Sequence, residues 1–392
     1  MSLAASLLHR PFAGQEYADR RAATRELMAQ SGLSTLCLVG PENIYYLTGL
    51  NHQGYFAFTM LVLPLDGPAV LITRAMERAT VAAQTPDCSH VSFQDGADPA
   101  VVAADTIRDV TAAGGRIAVE MASTYLSAAD WQLLRGALGD APVLDGSGLV
   151  ESLRAVKSET EIYHLRRAAA ISDVAMQAGI AATHPGVNER DVAAAVYDAM
   201  IRAGGEYPGF VPLVRSRDIL LQEHVTWRDH VVAADEALFL ELSGVSARYH
   251  APCSRMVYLG SAPPGTDVAA GIAGDGLAAV CDALQPGAIA AEVYAAWQKV
   301  VDKGLGHGRY RRHHCGYSTG IGFPPSWVGG SAVVGLRHDS DLPIKAGMVF
   351  HVLSWILGQE PPDYVLSDTV LVTDAGGELL TTTDRTPIVK DN

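Results

Sequence analysis

Residues 239–256 of the chain read FLELSGVSARYHAPCSRM, and this stretch decides the fold. Apolar and polar residues alternate up to Glu241, a pattern that predicts a pair of β-strands of the kind that holds metal ions. Where a hard metal ion would need a second carboxylate, the sequence instead has Pro252. The stretch therefore predicts the strand pair of a metal site that lacks the side chains needed to bind a metal ion.

The composition is that of an ordinary globular protein of two domains. The chain has 392 residues, of which 48% are hydrophobic, and this length exceeds that of one ordinary core. A net charge of -14 excludes a nucleic-acid-binding surface, and no apolar run is long enough to span a membrane. The first twelve residues lack the features of a signal peptide, and the five cysteines are scattered without a C-x-x-C pair. We therefore expect a cytoplasmic protein with reduced thiols.

The first part of the chain predicts an α/β domain over residues 1–155. An amphipathic helix over residues 15–32 precedes a buried strand in STLCLVG, and a hairpin follows over residues 58–74. Helices and strands then alternate to residue 150.

The second part predicts an α+β domain over residues 156–392. Ser158 followed by Glu161 is a capping box, so a long helix is expected to begin there. A second helix follows, and β-rich runs then flank two further helical stretches, which is typical of helices covering one antiparallel sheet.

Six local motifs, taken together with their spacing, resemble the creatinase/prolidase family. They are LRAVKSETEIYHLRRAAAISDVAM, YYLTG, ELSGVSARYHAPCSRMVYLG, GYSTGIGF, IKAGMVFHV and SDTVLVTDAG. The resemblance covers nearly the whole chain and implies a creatinase-type N-terminal domain, a pita-bread catalytic domain and a homodimer.

Metal-dependent peptidases that the chain resembles hold two divalent ions on five side chains. The corresponding positions here are Glu241, Pro252, Tyr317, Leu353 and Ser367. One carboxylate remains of the five ligands, and a lone carboxylate does not hold a pair of ions. We therefore expect no metal and no other cofactor.

A metal-free branch of the family, similar to ectoine hydrolases, shares more of the pattern. The shared residues are Glu241, Gly244, Arg248, Tyr249, His250, Pro252 and Arg255, with the loops at residues 316–325 and 347–351. This resemblance implies hydrolysis of a C–N bond in a small-molecule substrate such as an ectoine-like amidine, a lactam or a guanidino compound. The alternatives are a non-catalytic pseudo-peptidase that binds a partner and a metal-dependent Xaa-Pro peptidase.

Three residues are candidates for catalysis. Glu241 is an acid in an apolar strand and acts either as a nucleophile or as a base that activates water, unless it is simply a salt-bridged acid. His224 occupies a position where the family keeps a substrate-facing histidine, which suits a proton shuttle. Tyr317 replaces the metal-binding histidine, and its phenol is expected to donate to a developing oxyanion.

The remaining candidates are expected to bind substrate or to support the site. Each has a structural alternative, such as a hydrogen-bonded core histidine or a core aromatic ring. These candidates are Arg255 (orienting Glu241 or holding a substrate carboxylate), Tyr249, His250, His351, Asp368, Trp227, Phe323 and, from a lid in the N-terminal domain, His52 and Tyr55. The basic run HGRYRRHH over residues 307–314 is expected to be a solvated loop, with a role in holding an anion as the less favoured reading.

Overall fold

The structure is a computed structural model that describes residues 10–330, 333–359 and 362–391. The start of the chain, for which the sequence predicts no signal peptide, lies outside these residues up to position 9. The described chain divides into two compact units. Unit 1 comprises the described residues up to Arg154 together with Gly330, and unit 2 comprises Ala155–Gly329 and the described residues from Val333 onward.

Unit 1 is an α/β unit built around one mixed sheet. Its helices are α1 (Gly14–Gln30), α2 (Pro41–Thr48), α3 (Arg78–Gln84), α4 (Pro99–Val110), α5 (Ala128–Leu138) and α6 (Leu149–Arg154). Its strands are β1 (Thr35–Leu38), β2 (Met60–Pro64), β3 (Val70–Arg74), β4 (Ser89–Phe93), β5 (Ile117–Val119) and β6 (Val143–Asp145). They lie in the order β4-β3-β2-β1-β5-β6, and the predicted hairpin of β2 and β3 is antiparallel.

Unit 2 contains four helices and eight strands within the described residues. The helices are α7 (Glu159–Ala182), α8 (Glu189–Arg202), α9 (Thr266–Ala283) and α10 (Ala290–Leu305). The strands are β7 (Leu213–Ser216), β8 (Ala237–Ser246), β9 (Tyr249–Leu259), β10 (Gly316–Ser318), β11 (Val349–Ile356), β12 (Tyr364–Thr373), β13 (Gly376–Leu379) and β14 (Ile388–Lys390). None of the helices in the described part of the chain is long and apolar enough to cross a membrane.

The strands of unit 2 form one sheet with helices on both faces. Its main path runs β10-β11-β12-β9-β8-β7 and is antiparallel throughout. Leu240 and Leu242 on one face of β8 pack in a core cluster with α7 and α8, whereas Phe239 packs in a cluster with α9 and α10. Glu241 alternates with Leu240 and Leu242, so it points to the face of α9 and α10. The predicted fold class, an α/β domain followed by an α+β pita-bread domain, is confirmed.

Helix α7 begins at the predicted capping box and packs tightly on β8. The Glu161 amide donates to Ser158 Oγ at 3.3 Å, and the Ser158 amide donates to Glu161 Oε2 at 2.8 Å. At Gly244 the helix backbone is so close that an added Cβ would lie 2.4 Å from the Ala168 carbonyl oxygen. Ser172 Oγ accepts a hydrogen bond from the Gly244 amide at 2.7 Å, which ties the strand to the helix.

The β8–β9 hairpin turns through two residues that both have positive φ. These are Ala247 (φ 49°) and Arg248 (φ 65°), and such a conformation is strained for residues other than glycine, asparagine or aspartate. The buried Arg248 side chain offsets this strain, because its guanidinium donates to the carbonyls of Tyr207 and Gly322. It also stacks on the Phe323 ring at 4.6 Å. The arginine therefore fixes the register of the strand pair that carries Glu241.

Candidate active site

A cavity of about 200 Å³ lies in unit 2, on the face of the sheet that Glu241 occupies. Its volume is below the range of roughly 300–1,000 Å³ that is usual for drug-sized ligands, so it suits a small molecule. The residues that line it come from β7, β8, β10, β11 and the loops between them. They are Phe210, Leu213, Glu223, His224, Glu241, Arg312, His313, His314, Tyr317, Trp327, Val328, Val333, Leu353 and Trp355.

Glu241 is the buried acid of this cavity. Its residue surface is 4% exposed, and within the described residues its carboxylate accepts no hydrogen bond. Burial raises its pKa from 4.5 to about 7, and the neighbouring charge of Glu223 acts in the same direction. The positive charges of Arg215 and Arg312 oppose this shift. A carboxyl group with a pKa near neutral pH can both lose and take up a proton in the range in which a general base works, and its ionised form is the nucleophile.

Arg215 is a buried cation that sequence reasoning missed. Residues Leu213 and Glu241 are cross-strand partners, so Arg215, two residues along β7, lies diagonal to Glu241 on the same face. Its guanidinium donates to the Gln222 carbonyl and stacks on Phe239, with Cζ 4.4 Å from the ring centroid. Its charge acts to lower the pKa of Glu241 and thus favours the carboxylate form.

Tyr317, His351 and Ser367 form a hydrogen-bonded chain, in which Tyr317 and Ser367 stand at two of the five positions that correspond to the family's metal ligands. Trp327 Nε1 donates to Tyr317 Oη at 2.9 Å, and His351 Nδ1 lies 2.8 Å from the same oxygen. His351 Nε2 lies 2.7 Å from Ser367 Oγ, which in turn donates to Ser254 Oγ at 2.8 Å. The His351 ring lies 4.0 Å from Glu241 Oε1, measured from Nε2, and is fully buried.

These contacts determine where the protons of the chain lie. Burial lowers the pKa of His351 to about 3, so its ring is neutral and carries one proton. Because Ser367 uses its own proton on Ser254, its oxygen accepts from His351 Nε2–H, and His351 Nδ1 accepts from the Tyr317 hydroxyl. The expected role of Tyr317 as a proton donor to an oxyanion is therefore wrong for this arrangement. The phenol oxygen instead offers the cavity a lone pair.

His351 does not line the cavity, so its expected place as a substrate-binding residue is corrected. The prediction that it shares a face with Leu353 agrees with their positions on β11, two residues apart. Both ring nitrogens are engaged with Tyr317 and Ser367, which leaves neither for substrate. His351 acts on the cavity through Tyr317.

His224 and part of the basic run 307–314 also line the cavity. His224 lies in the loop before β8, largely exposed, and stacks on Phe210 with ring centroids 6.3 Å apart. Arg312, His313 and His314 belong to the run that the sequence predicts as a solvated loop. The run is a loop and His313 is exposed, but the side chains of Arg312 and His314 are buried, so the expectation of solvation is wrong for these two. The sequence does not show which way they face.

Arg255 and Asp368 pair with each other away from the cavity. Arg255 donates through all its N–H groups, to Asp368 Oδ1 at 2.9 Å and to the carbonyls of Ser254, Ser367, Thr383 and Asp384. No donor is left for Glu241 or a substrate carboxylate, so the predicted binding role is wrong. Asp368 also accepts from Thr381 and Arg385 and lies on the opposite face from Ser367. Its placement in the binding site is likewise corrected.

Tyr249 and His250 hold the frame and do not line the cavity. Tyr249 donates from its hydroxyl to Glu161 Oε1 at 2.5 Å. His250 lies between two backbone groups: its Nε2 accepts from the Gly209 amide at 2.8 Å, and its Nδ1 is 2.9 Å from the Arg248 carbonyl oxygen. Burial lowers the pKa of His250 to about 3. Both predicted binding roles are wrong, because both polar groups are already paired.

Four other candidates lie elsewhere. Trp227 packs against the core cluster of α7 and α8, and Phe323 is buried beneath Arg248, so neither lines the cavity as expected. In unit 1, His52 Nδ1 lies 3.3 Å from Glu77 Oε2, and Tyr55 makes an edge contact with Tyr125. Their role as a lid stays a prediction.

The five positions that hold metal ions in the family do not offer a fitting donor set. Pro252 and Leu353 have no side-chain donor, and the oxygens of Tyr317 and Ser367 are already hydrogen-bonded. Within residues 10–330, 333–359 and 362–391, no group of three or more His, Cys, Asp or Glu side chains is placed to hold a metal ion. One carboxylate, Glu241, does not support a pair of divalent ions.

The fold and this carboxylate cavity define a class of hydrolases. The family model "Metallopeptidase family M24" matches residues 163–374, and the model "Creatinase/Prolidase N-terminal domain" matches residues 20–156. The chain belongs to metallopeptidase family M24, which confirms the resemblance predicted from its motifs.

Individual relatives align over nearly the whole chain. Ectoine hydrolase of Halomonas elongata is 30% identical, over 97% of this chain and 98% of that protein. An uncharacterised hydrolase/peptidase of Sinorhizobium fredii is 28% identical, over 98% and 100%. The crystal structure of dipeptidase PepE from Mycobacterium ulcerans has a TM-score of 0.81 at 25% identity, covering 97% of this chain and 100% of that one. The prolidase of Thermococcus sibiricus has a TM-score of 0.85 at 20% identity, covering 96% and 100%.

The buried ion pair predicts a large stability effect at a residue outside the cavity. We expect Asp368→Ala to lower the free energy of unfolding by about 3–5 kcal/mol, because it leaves the Arg255 charge buried and unpaired. Urea denaturation followed by tryptophan fluorescence measures the loss. Asp339→Ala is the matched control, since its exposed pair with Arg337 is screened by solvent and is expected to contribute little to stability. Equal losses in the two variants would contradict the assignment.

The raised pKa of Glu241 predicts a pH-dependent stability difference. Between about pH 4.5 and 7 the folded protein keeps a proton that the unfolded chain has lost, so the contribution of Glu241 to stability falls as pH rises through this window. Glu241→Gln removes this pH dependence. The free energy of unfolding of the variant, compared with that of the unmodified protein, is therefore expected to increase by about 3 kcal/mol from about pH 4 to pH 8. Urea denaturation at both pH values measures it. Parallel pH curves for the two proteins would refute the shift.

Proposed function

We propose that the protein is a metal-independent hydrolase that cleaves a C–N bond, other than a peptide bond, in a small substrate with an amidinium-type group. The observation that carries the proposal is Glu241, a buried carboxylate at the wall of a small cavity that accepts no hydrogen bond from the described residues. Such a group is costly to bury unless it serves a ligand or a reaction. The relation to an ectoine hydrolase supports the substrate class, since ectoine is a cyclic amidine.

Two acceptors that face the cavity support a cationic, N–H-bearing substrate centre. Glu241 supplies a carboxylate, and Tyr317 supplies the remaining lone pair of its phenol oxygen. An amidinium group has N–H donors on both sides of its carbon. Acceptors in the cavity can therefore hold these N–H groups while the carbon faces the Glu241 carboxylate.

Glu241 acts as the nucleophile in this mechanism. One carboxylate oxygen attacks the amidinium carbon, and the C=N electron pair moves onto nitrogen to give a tetrahedral adduct. The C–N bond to be cleaved then breaks, and its electron pair leaves with the nitrogen. Water attacks the enzyme-bound carbon and displaces the Glu241 carboxylate. In sum, one water is consumed, and an amide and an amine are formed.

His224 moves the protons of this sequence. It lines the same cavity as Glu241 and lies in an exposed loop, where an imidazole exchanges protons with water. As the acid it protonates the departing nitrogen, and as the base it takes the proton of the attacking water. Each turnover returns it to its starting state.

The donor set supports metal independence. At the family's five ligand positions, Pro252 and Leu353 have no side-chain donor atom, and Tyr317 and Ser367 have hydroxyl groups that are already hydrogen-bonded. The fifth position is Glu241. His351 lies 4.0 Å from Glu241 and fills the space beside it. In this mechanism the positive charge of the amidinium group itself makes the carbon electrophilic, and Glu241 and Tyr317 position that group, so no metal cation is needed to polarise the bond.

The proposal is tested by hydrolysis assays on protein stripped of metal by chelator. We expect turnover of ectoine or a related cyclic amidine, none of Xaa-Pro dipeptides, and no gain when Mn²⁺ is added. Because Glu241 attacks as the carboxylate, kcat/KM is expected to rise with pH up to about 7. Peptidase activity that appears with Mn²⁺ would overturn the proposal.

Glu241→Gln is expected to abolish turnover while leaving the fold intact, because the amide is a poor nucleophile. Mass spectrometry of the unmodified protein quenched during turnover is expected to show an adduct on the peptide that contains Glu241. If the unmodified protein is fully active but shows no adduct, and Glu241→Gln is inactive, Glu241 would instead be the base that activates water.

The acceptor role of Tyr317 predicts a loss of substrate binding. We expect Tyr317→Phe to lower kcat/KM by roughly ten- to a hundredfold, since a hydrogen bond to a charged group is lost. Tyr249→Phe is the matched control, because its hydroxyl is bonded to Glu161 outside the cavity. Per folded molecule, the control is expected to retain its kcat/KM. Unchanged kcat/KM in Tyr317→Phe would refute the role.

A further inference from the structure

Three residues that line the cavity each carry a buried nitrogen without a hydrogen-bond partner among the described residues. These nitrogens are Arg312 Nε, His314 Nδ1 and Trp355 Nε1. Buried polar groups are nearly always paired, and an unpaired one destabilises the fold. Unpaired buried nitrogens also occur elsewhere in the described chain, for example in Arg215, but here three residues of one cavity carry them. Arg312 Nε and Trp355 Nε1 are donors in every state, whereas the His314 ring is neutral, because burial lowers its pKa to about 3, and its Nδ1 is a donor in the tautomer that carries the proton there. A ligand in the cavity would supply the missing acceptors.

Arg312 and Trp355 are in direct contact. Arg312 Cζ lies 4.9 Å from the centroid of the Trp355 ring, so the cation stacks on the indole. The Arg312 side chain is 8% exposed and Trp355 is 4% exposed. A planar guanidinium held on a rigid ring suits recognition of a carboxylate, and the indole N–H is a second donor among the residues that line this cavity.

Glu223 pairs with one nitrogen of this guanidinium. Arg312 Nη2 lies 3.3 and 3.4 Å from the two carboxylate oxygens of Glu223. Charge-assisted hydrogen bonds are usually about 2.7–2.9 Å long, so this pairing is loose. The Glu223 side chain is 37% exposed and is free to turn toward solvent when a better acceptor arrives.

We propose that Arg312, Trp355 and His314 form a subsite that binds a carboxylate carried by the substrate. The inference rests on the proposed function in that the carboxylate belongs to the molecule whose C–N bond Glu241 attacks. Acceptors face the reacting centre, and donors face the anion, so the cavity selects a zwitterion. The substrate is a cyclic or linear amidine that also bears a carboxylate, with Glu223 holding the subsite until the substrate displaces it.

The subsite is tested by thermal unfolding with propionate and with its uncharged counterpart propionamide, at matched ionic strength. Propionate is expected to raise the melting temperature of the unmodified protein, and propionamide is not. Arg312→Gln removes this shift, whereas Arg311→Gln, whose side chain is 52% exposed and outside the cavity, retains it. Glu223→Gln is expected to enlarge the shift, because it removes the competing anion. Equal effects of the two compounds, no effect of either, or equal behaviour of the two arginine variants would overturn the subsite.

A pair of tryptophan variants tests the unpaired indole. Trp355→Phe removes a donor that lacks a partner, so the melting temperature is expected to fall less than in Trp297→Phe, whose Nε1 donates to Ser354 Oγ at 3.0 Å. Trp355→Phe is also expected to reduce the shift caused by propionate, and Trp297→Phe is not. An equal fall in both proteins with the propionate shift intact would overturn the role of Trp355.

Hydrolysis assays separate this inference from the proposed function. Arg312→Gln is expected to raise the KM for ectoine by a factor at least roughly tenfold greater than the factor by which it changes the KM for the same ring without its carboxylate, a ratio that cancels any general effect of the lost charge on Glu241. If no amidine is hydrolysed but propionate binds through Arg312, the proposed function fails and the subsite stands. If both rings are hydrolysed with the same KM and Arg312→Gln affects neither, the proposed function stands and the subsite is overturned.

Discussion

The close contact between α7 and β8 at Gly244 is the constraint on which the site depends. A side chain at this position would meet the helix backbone at 2.4 Å, so the strand lies against the helix only because it has none. The Ser172 hydroxyl fixes the contact, and the Arg248 turn then fixes the register of β9 on β8. Together they set which residues of the strand pair face α7 and which face the cavity, and they place Glu241 on the cavity side.

The polar side chains of β9 and those of the cavity differ in their pairing. The polar residues of β9, such as Tyr249, His250 and Arg255, find partners within the protein. Around the cavity the opposite holds: Glu241 accepts no hydrogen bond from the described residues, and nitrogens of Arg312 and Trp355 have no partner there. Burial is similar in the two groups of residues. They differ in that the unpaired atoms at the cavity are ones with which a bound ligand would form hydrogen bonds.

The sequence predicted the fold well because the fold depends on local signals. The Ser158 capping box, the hairpin of β2 and β3 and the order of the family motifs are all readable in the chain. The site was predicted less well, because a motif does not distinguish a residue that holds the frame from one that meets substrate. Arg255 and His250 belong to the same motif as Glu241, yet the side chains of both are already hydrogen-bonded to backbone carbonyls or amides. Arg312 lies in no family motif, and only the packing of its side chain on Trp355 reveals it.

The chain through Tyr317, His351 and Ser367 also bears on how such a protein changes over evolutionary time. Every member has a partner in another member, so no single replacement restores an ion-binding group without stranding a neighbour. A carboxylate introduced at Leu353 would meet the imidazole of His351 on the same face of the strand. On the proposed metal-independent mechanism, replacing this network by ion-binding side chains would need several coordinated substitutions. A change of substrate within the same chemistry would therefore be easier to reach by single mutations than a change to ion-dependent chemistry.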